Sequence, residues 1–119
     1  MNGKKSWFIP DAYIPERSSG ALESHEAICV LNCQQDMAIL KITLYFEDQD
    51  PIEEIEVRVK GRRTLHLKTN ILEKEGRRVP VGVPYAIEVQ SSQPIIVQYS
   101  RLDTTQPELA LMSTIAYSV

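Results

Sequence analysis

Charge is segregated along this chain. Residues 47–56 hold Glu47, Asp48, Asp50, Glu53, Glu54 and Glu56 with no base, and residues 58–68 hold Arg58, Lys60, Arg62, Arg63, His66 and Lys68 with no acid. A run of cationic groups on one surface attracts an acidic partner or a phosphate. Arg77-Arg78 would extend that surface. Arg62, Arg63, His66, Arg77 and Arg78 are therefore the candidate partner-binding residues. The competing use of the two runs is cross-strand pairing of opposite charges on solvated faces, worth ~0.2–1 kcal/mol per pair.

A second set of residues fits a small ligand. Arg101 and Asp103 are two apart and share one face of an extended chain, together with Val97 and Tyr99. A guanidinium partly inside needs a carboxylate, which Asp103 or Glu108 would supply at a subunit seam or a ligand cleft. Trp7, Tyr13, Tyr45 and Tyr85 lie outside the clearest apolar runs or near a loop. Aromatic planes presented from loops stack well on the apolar face of a sugar ring. Trp7, Tyr13, Tyr85, Arg101 and Asp103 are thus the candidate ligand residues, with plain packing at strand ends as the alternative for the aromatics.

Catalysis and metal binding find no such set. His25 and His66 stand apart among polar neighbours, and there is no nucleophile elbow, His-Glu-x-x-His or Gly-rich phosphate loop. On one strand Cys29 and Cys33 would lie about 13 Å apart, too far for the ~7 Å reach of a disulfide. Zinc would need two more close ligands. The expectation is no enzyme, no metal and no cofactor.

These side chains must be held by strands, because period-two alternation dominates. Ala38, Leu40, Ile42, Leu44 and Phe46 share one face of 38–47; Ile55, Val57 and Val59 alternate with Glu54, Glu56, Arg58 and Lys60. Tyr85, Ile87 and Val89 form a third such face, and Ile95, Val97 and Tyr99 a fourth. Each reads as a strand with one face inward. Residues 25–32 and 112–118 are strand-like in composition, and a short strand fits Ser6–Ile9. Gln49-Asp50-Pro51, Gly61 and Gln93-Pro94 separate neighbouring strands. Thr69-Asn70 fits the cap of a single turn through Leu72, and Thr105-x-x-Glu108 resembles a capping box. Pro10 to Glu23 and Glu73 to Pro84 read as long loops, a length often tied to function. The expected architecture is a single all-β domain over residues 1–119, a jelly-roll-like β-sandwich of about eight short strands.

The chain's 119 residues, 43% hydrophobic and 24% charged, suffice for one core. A net charge of −3 disfavours nucleic acid and anionic membranes as partners. The longest apolar run, Ala27 to Leu31, is far short of the ~20 residues that span a bilayer. Lys4 and Lys5 are followed by only Trp7, Phe8 and Ile9 before Pro10, too little for an export signal, so the cytoplasm is the expected address.

Ser24-His25-Glu26 is followed by Cys29, Leu31 and Asn32, then by Arg62-Arg63-Thr64-x-His66. A more specific stretch follows: Pro94-Ile95-Ile96-Val97-Gln98, Arg101-Leu102-Asp103, Gln106, Glu108, Ala110-Leu111 and Ser113-Thr114-Ile115-Ala116-Tyr117. In this order the segments, from Trp7 and Tyr13-Ile14-Pro15 to Tyr117, resemble the sensory rhodopsin transducer family known from Anabaena. The resemblance implies a jelly-roll-like sandwich in a cyclic homotetramer, cytoplasmic and without enzymatic activity, that receives a signal from a membrane photoreceptor. It also implies likeness to carbohydrate-binding modules and to regulators that contact DNA. The segment Glu73–Val83, with Lys74, Arg77 and Arg78, departs from the family by looking longer and more basic.

Overall fold

The computed structural model describes residues 2–15, 25–103 and 110–119. Among the described residues there are ten strands: β1 (Lys4–Tyr13), β2 (His25–Asn32), β3 (Ala38–Phe46), β4 (Ile52–Val59), β5 (Arg63–Lys68), β6 (Glu73–Lys74), β7 (Arg77–Arg78), β8 (Pro84–Asp103), β9 (Ala110–Ile115) and β10 (Tyr117–Ser118). All pairings are antiparallel. The all-β class read from the alternation is the one observed.

One strand organises the rest. Gln93-Pro94, expected to separate two strands, lies inside the single 20-residue strand β8. Through Ser91, β8 runs between β1 and β3; from Ile96 it runs between β2 and β9. Pro94 has no ladder partner at this change-over, so its missing N–H interrupts nothing. The result is one sheet in the order β10-β1-β8-β3-β4 and another in the order β5-β2-β8-β9, continuous through β8. The inward residues of both meet in one core, including Ile28 and Val30 of β2, Leu40, Ile42 and Leu44 of β3, and Ile87, Val89, Ile95 and Val97 of β8.

The long loops are partly ordered structure. β1 continues through Pro10 to Tyr13. In the second loop, β6 and β7 form a two-residue hairpin whose Glu75 and Gly76 have φ of 52° and 81°. Positive φ at both positions is what a tight hairpin turn of the right twist requires. The single turn near Thr69 exists as a 3-10 helix, Thr69–Ile71, but without a side-chain cap. Thr69 faces inward instead. The box at Thr105–Glu108 lies outside the described residues.

Candidate functional site

The inward face of β2 carries two polar residues among its aliphatics: Glu26, Ile28, Val30 and Asn32 are all buried. Glu26 is 1% exposed. Its carboxylate accepts from the Tyr85 hydroxyl at 2.5 Å, from the Tyr13 backbone N–H at 2.7 Å, from Arg101 Nε at 3.0 Å, and from the Tyr99 hydroxyl. Arg101 is also its direct cross-strand neighbour. Thr69 Oγ1 lies 2.9 Å from the Tyr85 oxygen, whose single proton is committed to Glu26. Four donors thus converge on one buried acid, tying the end of β1, the start of β2, both ends of β8 and the 3-10 turn together.

The electrostatics follow from that crowding. Burial, and then the adjacent Glu26 charge, push the Tyr85 hydroxyl far above its usual pKa. Burial and the hydrogen bond to Glu26 do the same to Tyr99. Burial opposes the Arg101 charge, but Tyr99 and Glu26 outweigh it and raise its pKa. An unpaired carboxylate here would cost several kcal/mol. Oε2 takes three of these bonds and Oε1 one, so the Glu26 side chain serves to hold the surrounding strands together. Arg101 Nη2 is buried and has no hydrogen-bond partner among the described residues. The guanidinium carbon sits 5.9 Å from the centre of the Tyr99 ring.

The five basic candidates fall into two places. Arg62, Arg63 and His66 are exposed on and beside β5, at the edge of the second sheet. They are positioned by a close approach: a Cβ on Gly61 would lie 1.9 Å from the Gln35 carbonyl oxygen, and the Arg62 N–H donates to the Gln34 carbonyl at 2.9 Å. Arg77 and Arg78 are on the hairpin that packs against β4. Arg77 donates to the Asp50 and Pro51 carbonyls at 2.8 and 3.2 Å, and Arg78 pairs with Glu73 at 3.0 Å. No hydrogen bond joins the two groups among the described residues. Ion pairing takes up other members of the runs, since Glu56 pairs across strands with Lys41 at 3.0 Å and along its own strand with Arg58 at 2.9 Å. Those hydrogen bonds hold Glu56 below the usual carboxylate range. Arg62 and Arg63 form no ion pair among the described residues.

The aromatic candidates correct the stacking expectation. Trp7 is 5% and Tyr85 4% exposed, so neither offers a ring face to a ligand. The Trp7 indole N–H reaches the Lys4 and Ile95 carbonyls at 2.9 and 3.1 Å, which serves the change-over of β8. Tyr13 is half-buried. The Asp103 side chain lies outside the described residues, and the carboxylate found on Arg101 is Glu26. Sequence reasoning missed Glu26. Its signal was a lone acid at the inward parity of Ile28 and Val30. Cys29 and Cys33 are both free thiols. No helix among the described residues is long and apolar enough to cross a membrane.

Residues 2–118 match the family described as Anabaena sensory rhodopsin transducer. A Thermotoga maritima protein of known crystal structure, numbered 1070, is 39% identical with a TM-score of 0.90, over 100% of this chain and 97% of that one. The solved Anabaena sensory rhodopsin transducer is 36% identical with a TM-score of 0.76, over 85% of this chain and 90% of that one. No curated protein matches by sequence.

Proposed function

We propose that this chain, which belongs to the Anabaena sensory rhodopsin transducer family, is a non-enzymatic cytoplasmic adaptor that docks a protein partner through the basic edge at β5. A membrane photoreceptor is the partner to which the family name points. The observation that carries the reading is the group Arg62, Arg63 and His66, exposed and, for both arginines, unpaired by any acid among the described residues. Charges left free at an edge steer an oppositely charged partner and set its register. Arg77 and Arg78, already engaged within the protein, contribute at most field to that contact. A homotetramer is part of the proposal: Met112, Ile115, Tyr117 and Val119 are 50–70% exposed along β9 and β10, and an uncharged edge of this kind is usually covered.

The test is recovery of partners from membranes of the source cells by the purified protein, at low and high salt, alongside Arg62→Ala/Arg63→Ala. The proposal expects a retained protein that is lost at high salt and in the double variant. Retention indifferent to both would overturn the basic edge as the docking surface.

A second reading, a module for a sugar or related metabolite, is favoured by one observation: the buried Arg101 Nη2 is without a partner among the described residues. Saturable stabilisation in thermal melts is its expected result. A flat response across a broad sugar panel would remove it.

A further inference from the structure

β1 carries one residue too many against β8. Ile9 faces Ile87 and Ala12 faces Tyr85, so Pro10 and Asp11 together oppose Ala86. Such a bulge bends its strand and re-aims the side chains beside it. On the other flank, Ala86 is the cross-strand neighbour of Tyr45. A methyl group between a bulge and a tyrosine leaves a hollow: a cleft of about 220 Å³ lined by Pro10, Asp11, Tyr45, Glu47, Pro84 and Ala86, with Phe46 and Tyr85 also in its wall.

Its chemistry is one-sided. Pro10 and Pro84 have no N–H to offer. Tyr45 is 41% exposed, yet its hydroxyl proton is held by Glu88. That bond fixes the ring while leaving it open to solvent, and it raises the hydroxyl pKa. Asp11 and Glu47 are exposed carboxylates, and no basic side chain lines the cleft among the described residues. The walls thus present acceptors, negative charge and an aromatic ring, with no side-chain donor free. An anion is repelled. A cationic head gains both the carboxylates and the ring, and the volume is below the ~300 Å³ at which drug-sized pockets begin.

We infer that this cleft binds an organic cation, the guanidinium or ammonium head of a basic side chain. Within the adaptor reading it is a socket for one arginine or lysine of the partner, and that assignment rests on the adaptor reading. Binding of the free cation does not.

The experiment is a titration of the full chain, followed by amide NMR, with N-acetyl-arginine methylamide and N-acetyl-lysine methylamide. N-acetyl-glutamine methylamide serves as the neutral control, and a Gly-Arg-Gly peptide separates a polypeptide source from a free metabolite. Saturable shifts confined to residues 11, 45–47 and 85–86 are expected with the cations and absent with the neutral control. Tyr45→Ala is expected to weaken binding about two- to five-fold, Tyr45→Phe to keep it, and Ala86→Leu to abolish it by filling the hollow. Unchanged spectra elsewhere show that each variant is folded. Tighter binding of the peptide assigns a polypeptide source; equal binding assigns a free cation. Absence of saturable shifts, equal shifts with the neutral amide, or binding unaltered by Ala86→Leu would overturn the inference. None of these outcomes touches the β5 test, which has its own variants.

Discussion

Replacing Glu26 by glutamine keeps the side chain's shape and removes its charge. In the folded protein that carboxylate accepts from Tyr85, Tyr99, Arg101 and the Tyr13 N–H. A carboxamide has one accepting oxygen and turns its NH2 toward groups that are themselves donors. Removing one member of a buried pair typically costs ~3–5 kcal/mol. The Arg101 side chain is 21% exposed, so water recovers part of its solvation and the loss falls at the low end, about 3 kcal/mol. For a domain of this size that is a fall in Tm on the order of 10 °C. The assay is urea unfolding at one fixed protein concentration, because any assembly would make apparent stability depend on concentration. Arg101→Met and the double variant complete a cycle. The double variant is expected to lose at least ~1 kcal/mol less than the sum of the singles, since removing both charges leaves neither unpaired. A loss below ~1 kcal/mol in Glu26→Gln, with a cycle additive to within ~0.5 kcal/mol, would refute the claim that Glu26 and Arg101 act as a pair.

Alkaline titration tests the same cluster from the tyrosine side. Folding raises the pKa of Tyr85 and Tyr99 above that of the unfolded chain, so their contribution is complete below about pH 10 and is lost as pH rises above it. Each adds about 1.4 kcal/mol per pH unit to the downward slope of stability there. Tyr85→Phe should flatten the slope by that amount, and an unchanged slope would contradict the assignment. Asn32 donates through Nδ2 to the Asp36 and Val59 carbonyls and accepts from the Gln34 N–H. Asn32→Ala is expected to cost ~2–3 kcal/mol and to speed hydrogen exchange at Gln34; slow exchange there would show that other partners suffice. Ile115→Asp places a charge on the exposed β9 edge and is expected to lower the mass seen by light scattering, whereas an unaltered mass would contradict a subunit contact through this edge.

The strands were legible because their inward residues alternate over short, local windows: Leu40, Ile42 and Leu44 announce their own face. β8 was not, because Pro94 carries the same mark whether a strand ends or changes partners. Only the non-local pairing of Ile96 with Leu31 distinguishes the two. The Glu26 site was hidden for a related reason. Its partners Tyr85, Tyr99 and Arg101 lie 59 to 75 residues away in sequence, so no local spacing exposes them. Trp7 and Tyr85 looked available because they sit near loops. Burial is decided by what those loops and strands pack against. The charge runs were legible as runs, but Arg77 turns back to the Asp50 carbonyl while Arg62 and Arg63 stay open, and that division depends on the docking of a hairpin against β4.

Photo-crosslinking inside the source cells tests whether the β5 edge is the surface presented to a protein partner. A crosslinking residue at His66, on the exposed side of β5, is compared with one at Arg58 on β4. A discrete adduct is expected from position 66, absent from position 58 and lost when Arg62 and Arg63 are replaced by alanine. No adduct from position 66, or the same adduct from both positions, would contradict it.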